Sequence, residues 1–138
     1  MPASISPIFS RLADIQWGVA ALLTANTAKD GTGTVTTVFT ADATNGGFVQ
    51  RLVARPIGTN VATVLRVFVN NGSTNVTVAN NSLIAEITLA ATTLSEVAAQ
   101  PDYVLSLNFA LPAGYKLNCT VGTTVAAGYQ LSVIGGKY

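Results

Sequence analysis

A chain of 138 residues falls within the roughly 100–200 residues of one ordinary domain, and its net charge of +1, from 7 Lys and Arg against 6 Asp and Glu, offers nucleic acid or an anionic membrane no long-range field. Charged residues make up 9% of the chain and hydrophobic residues 49%, where about a quarter of a soluble domain is usually charged. The sequence has no His, which excludes Ser-His-Asp and Cys-His nucleophile systems and imidazole metal sites, and one Cys, which excludes an internal disulfide framework.

The opening, residues 1–15, carries Pro2 and Pro7 among the apolar anchors Ile5, Ile8, Phe9, Leu12 and Ile15. A short helical turn is expected over residues 7–14, because Ile8, Leu12 and Ile15 fall at i, i+4 and i+7 and would form one stripe. This segment reads as an N-terminal arm that docks on a partner, ahead of a β-domain over residues 16–138. It lacks the basic start and apolar core of a secretory signal, so synthesis in a cytoplasm is expected.

Thr, Val and Ile account for 41 of the 138 residues, a β-branched load that suits pleated surfaces. Residues 17–27 read as the first strand or an extended arm. The apolar stretch inside them, Gly18 to Leu23, is cut by Thr24 and Asn26, far short of the ~20 residues of a membrane-spanning helix. Residues 34–40 follow as a strand, then the turn cluster 42–47, then a strand over 48–55 closed by Pro56. A fourth run over 61–69 precedes Asn71-Gly72, a tight-turn pair. In 83–89 the alternation turns Leu83, Ala85, Ile87 and Leu89 inward, and in 103–109 Tyr103, Leu105, Leu107 and Phe109. Residues 90–100 have room for one helical turn at most. Strands over 115–121 and 129–134 complete about 7–9 short strands, the pattern of an all-β, antiparallel β-sandwich of jelly-roll-like form. Gly58-Thr59-Asn60-Val61-Ala62 is echoed by Gly122-Thr123-Thr124-Val125-Ala126, two similar turn-and-strand units.

No catalytic, cofactor or metal site emerges. The carboxylates Asp14, Asp30, Asp42, Glu86, Glu96 and Asp102 are scattered singly, without the paired arrangement of a glycosidase. Cys119 has no neighbouring cation to lower its pKa and reads as a packing residue. Residues 42–47 lack the alternating ligands and closing Glu of an EF-hand and read as a turn. Four Asn-x-Ser/Thr triplets, at Asn71, Asn75, Asn80 and Asn118, read as products of Asn- and Thr-rich turns. Arg51 and Arg55 share a strand face, and Arg66 on the next strand would extend them into a basic patch suited to a protein partner. The candidate partner-contact residues are therefore Ile5, Ile8, Phe9, Leu12, Arg51 and Arg55. Sparse charge also gives weak repulsion between copies, which favours a homo-oligomer, expected as a trimer. Neither nucleic acid nor membrane is expected as a partner.

Leu111-Pro112-Ala113-Gly114-Tyr115-Lys116-Leu117, the run from Val121 to Tyr129 and the ending Val133-Ile134-Gly135-Gly136-Lys137-Tyr138 resemble small virion structural proteins of tailed bacteriophages. Residues 39–47 and 55–60 are similar to them as well. The resemblance implies a non-enzymatic β-sandwich that decorates or cements the capsid surface, with the major capsid protein as partner. Two alternatives stay open: a tail, fibre or head-to-tail component, and a carbohydrate-binding sandwich using Trp17, Tyr103, Tyr115 or Tyr129 as a stacking platform.

Overall fold

A computed structural model describes residues 10–138. Eight strands form: β1 Leu12–Trp17, β2 Thr36–Thr40, β3 Gly47–Pro56, β4 Thr63–Asn70, β5 Asn81–Leu89, β6 Tyr103–Leu111, β7 Lys116–Val121 and β8 Tyr129–Lys137, with one 3₁₀ turn at Val78–Asn80 before β5. They make two four-stranded sheets, ordered β1-β8-β3-β6 (sheet A) and β2-β7-β4-β5 (sheet B), and every ladder is antiparallel. The adjacent pairs β1·β8, β2·β7, β3·β6 and β4·β5 are those of one long hairpin wound over itself. That winding is the jelly roll, so the expected architecture is the observed one.

Alternation places the core between the sheets. Leu52 and Ala54 on β3, Leu65 and Val67 on β4, Leu117, Cys119 and Val121 on β7, and Leu131 and Val133 on β8 are all at most 1% exposed and form one cluster. The outward rows of the two sheets differ. On sheet B the outward Phe68, Asn70, Asn118 and Thr120 are themselves buried. On sheet A the outward Ile15, Trp17 and Val104 are 56%, 60% and 53% exposed.

Four sequence expectations change here. Leu83, expected inward with Ala85, Ile87 and Leu89, is turned outward opposite Phe68 and is 38% exposed, because the bulge at Ile84 reverses its parity. Leu12–Trp17 is a strand paired with β8, so the helical stripe through Leu12 and Ile15 does not form. An edge place beside β8 satisfies this segment's backbone along one side, which a single isolated helical turn could not do. In a strand, Leu12 and Ile15 point to opposite faces. The first strand also ends at Trp17 rather than beginning there, and residues 18–35 cross from the edge of sheet A to that of sheet B, touching down through isolated bridges at Leu22 to Tyr129 and Ala25 to Val121. Gly18 begins the crossing, and a Cβ there would lie 2.9 Å from Thr36 Cγ2. No helical turn forms in residues 90–100, where Thr92 instead bridges to Asn60.

Asn71-Gly72 does turn the chain, with Gly72 at φ +92°. Asn70 Oδ1 accepts from the Gly72 N–H at 2.8 Å. The loop is longer than a two-residue hairpin because residues 73–80 fold back through their asparagines: Asn81 Nδ2 donates to the Asn75 carbonyl at 2.9 Å and Asn80 Nδ2 to that of Thr74 at 2.9 Å.

Candidate interaction surface

The open face of sheet A is built from residues in register across four strands. One row runs Ile15, Ile134, Arg51, Ser106, and the next Trp17, Ser132, Val53, Val104. Beyond them Arg55 stands opposite Gln130. The face is apolar at the β1 edge and carries its two cations on β3. Arg55 Nη2 binds Asp102 Oδ2 at 2.9 Å, with side chains 61% and 47% exposed, a solvated pair contributing at most about 1 kcal/mol. Arg51 has no ion pair among the described residues. At the far end of the face a cleft of about 380 Å³ is lined by Ser10, Phe48, Gln50, Asn108 and Gly135.

Of the expected contact residues, Arg51 and Arg55 lie on this face, as their shared parity requires. Leu12 is 59% exposed on β1, opposite Lys137. Ile5, Ile8 and Phe9 lie outside the described residues. Arg66 does not join Arg51 and Arg55: β4 belongs to sheet B, and the winding sends consecutive strands β3 and β4 to opposite layers. Arg66 pairs instead with Glu86, Nε to Oε1 at 2.8 Å, with its side chain 11% exposed. The basic patch of three arginines is thereby reduced to two.

The aromatic residues do not share a platform. Trp17 is outward and exposed, Tyr129 is fully buried, and Tyr103 and Tyr115 pack against the core. The Tyr103 hydroxyl accepts from the Ala90 N–H at 3.1 Å.

No protein-family model matches the chain, and no curated protein matches it significantly. One solved chain is similar, from the structure of infectious bursal disease virus, Gx strain: 14% identity over 89% of this chain, with a TM-score of 0.35. The match spans 30% of that viral chain's length.

The remaining polar groups serve the fold. Burial in β7 pushes the Cys119 thiol far above its ordinary pKa, leaving it protonated and unreactive. Asp42 Oδ1 accepts from the Thr44 and Asn45 N–H groups at 3.0 and 2.8 Å, and those bonds hold its carboxyl below the usual range. Among the described residues no three Cys, Asp or Glu side chains come together as metal ligands, and no helix is long and apolar enough to cross a membrane. All four triplet asparagines are engaged within the fold: Asn118 Oδ1 accepts from Thr37 Oγ1 at 2.8 Å, Asn75 Nδ2 donates to the Gly31 and Gly33 carbonyls at 3.0 and 2.8 Å, Asn71 Nδ2 donates to Asn80 Oδ1 at 3.1 Å, and Asn80 Nδ2 donates to the Thr74 carbonyl at 2.9 Å.

Sequence reasoning missed Trp17 as part of this face and Asn60 as a structural centre. Trp17 stood at the supposed start of a strand, where its parity relative to Arg51 cannot be read. For Asn60 the echo held the signal. Asn60 and its counterpart Thr124 both accept backbone N–H groups of a distant loop, Asn60 Oδ1 from Ala127 and Gly128 and Thr124 Oγ1 from Ala25.

Proposed function

We propose that this chain is a non-enzymatic structural protein of a tailed-bacteriophage virion, a capsid decoration or cement protein that binds the major capsid protein and stabilises the head lattice. The reading rests on the outer face of sheet A, where Trp17, Ile15, Val53, Val104 and Ile134 stand in adjacent rows with Arg51 and Arg55. Exposed aromatic and aliphatic groups interleaved with arginine make the composition of a protein-contact surface. The sequence resemblance supplies the kind of partner, and the sparse charge suits a component that spends its life assembled rather than free.

Enzymatic work would need convergent acids, bases or nucleophiles, whereas among the described residues no three carboxylate or Cys side chains come together and Cys119 is buried. Copy number is the test. Quantitative mass spectrometry of purified particles of the phage encoding the chain should find hundreds of copies, tracking the number of capsomers. A handful or a few tens of copies would move the chain to the tail or the head-to-tail junction. Absence from purified particles would end the virion reading.

A further inference from the structure

The two flanks of the sandwich are finished differently. Where β1 and β2 face each other, Gln16 bonds both the N–H and the carbonyl of Thr40. Where β5 and β6 face each other, the Tyr103 hydroxyl at the start of β6 accepts from the Ala90 N–H just past β5, and the inward side chains Leu105, Leu107 and Phe109 of β6 and Ala85 and Ile87 of β5 are only half-buried. Among the described residues β6 has a neighbour on one side only, β3, so the N–H and C=O groups of alternate residues point out of the sheet.

Edge strands are ordinarily blunted by charge, proline, shortness or a cover. β1 carries Asp14, β5 carries Glu86 with a bulge between Leu83 and Ala85, and β2 is five residues long with its end held by Gln16. β6, Tyr-Val-Leu-Ser-Leu-Asn-Phe-Ala-Leu, is nine residues long without Asp, Glu, Lys, Arg or Pro. Its irregularity lies toward one end, where the β3 register shifts and Asn108 adopts φ +53°, while Tyr103–Ser106 pair one to one with β3.

We infer that β6 is the seam of a two-fold dimer, in place of the trimer expected from the sequence, pairing antiparallel with β6 of a second copy and joining the two A sheets into one of eight strands. Charge selects this edge and this occupant. A like pairing of β1 or β5 would bring carboxylates of both copies together, whereas β6 meets itself with no charge on either side. A two-fold axis perpendicular to the sheet keeps inner faces together. Centred on Leu105 in the regular stretch, the seam sets Val104 opposite Ser106 of the partner subunit and brings the half-buried Leu105 and Leu107 rows of the two copies side by side. The outward rows through Trp17 and Arg51 then become continuous across the dimer. The seam concerns the chain in solution and stands or falls separately from its place in a virion.

Sedimentation velocity of the full chain across the micromolar range should show a monomer–dimer equilibrium. The double variant Val104→Lys/Ser106→Lys, which places lysines opposite one another twice, should weaken dimerisation about tenfold or more, with the circular dichroism of the native fold. Thr88→Lys on the β5 edge should leave the dimer unchanged. Hydrogen exchange of the unsubstituted chain should show the β6 amides slowing as concentration rises. A monomer throughout, a trimer, or a dimer indifferent to the double substitution would overturn the seam. If the double variant fails to fold, the exchange pattern decides, and β6 amides that exchange equally fast at all concentrations overturn it.

Discussion

The side-chain amide of Gln16 on β1 grips the backbone of Thr40 on β2 at both ends, its Nε2 donating to the Thr40 carbonyl and its Oε1 accepting from the Thr40 N–H, each at 2.9 Å. One side chain thus does for a sheet edge what a neighbouring strand would do, and it ties the first strand of sheet A to the first of sheet B. The groups it satisfies lie near solvent, so water replaces much of what is lost. Gln16→Ala is expected to lower unfolding stability by about 1 kcal/mol, read from the urea midpoint at unchanged slope. Amides of β1 should exchange faster while those of β4 and β7 keep their protection.

Asn60 is 3% exposed and closes three loops at once. Its Nδ2 donates to the Gly58 and Gly128 carbonyls at 3.3 and 3.2 Å and to Thr92 Oγ1 at 3.3 Å, while its Oδ1 accepts from the Ala127 and Gly128 N–H groups at 3.0 and 2.8 Å. Water has little access, so truncation strands buried donors and acceptors at full desolvation penalty. Asn60→Ala should lower stability by about 3 kcal/mol or more. Asn60→Asp should be at least as damaging, since the second carboxylate oxygen would face the Gly58 and Gly128 carbonyls. Urea titration of the two variants checks both the size and the order.

Alkaline pH should loosen the fold through two buried groups. The Cys119 thiol ordinarily titrates near 9.0 and burial raises it in the folded chain. Below pH 9.0 both states keep the proton and this group contributes no slope; above it the unfolded chain releases the proton first. Stability then falls by about 1.4 kcal/mol per pH unit. Tyr129, ordinarily near 10.0 and raised by burial with a smaller push from Tyr103, adds a second slope from there upward. The Tyr129 hydroxyl is buried without a partner among the described residues, so Tyr129→Phe should leave neutral-pH stability unchanged or improved. Urea midpoints followed from neutral to alkaline pH should fall less steeply for Cys119→Ala, and a wild-type curve flat through pH 10.0 would contradict the burial.

The sheet content was legible because its signal is local. Period-two runs such as Tyr103–Leu111 and the turn clusters at 42–47 and 112–114 announce strands and their ends without tertiary help. Two kinds of feature were not legible. Leu12 and Ile15 fit a helical spacing as well as a strand, and what decides is the β8 partner more than a hundred residues away. Arg66 looked like a neighbour of Arg51 because β3 and β4 are consecutive, and only the winding shows that consecutive strands lie in different layers. Parity within one strand, as for Arg51 and Arg55, survives folding. Adjacency between strands is a property of topology, so a contact surface that crosses strands has to be read from register.

Trp17 offers the sharpest test of that surface. It sits on an edge strand, 60% exposed, with Ser132 opposite it and Arg51 in the neighbouring row. Little of its area is packed, so Trp17→Ala should change stability by no more than about 0.5 kcal/mol. Exposed tryptophan and arginine are the residues on which binding energy concentrates when a surface is covered, and removing one commonly weakens a complex by about 2 kcal/mol, or roughly thirtyfold. Trp17→Ala and Arg51→Glu are each expected to weaken association with phage particles by about that factor, measured by co-sedimentation over a protein titration. Val97→Ala, at a residue 98% exposed in the β5–β6 connection, should bind as the unsubstituted chain does. If Trp17→Ala binds at full strength while Val97→Ala does not, the contact lies at the β5–β6 end of the sandwich, and the open face of sheet A is left to solvent.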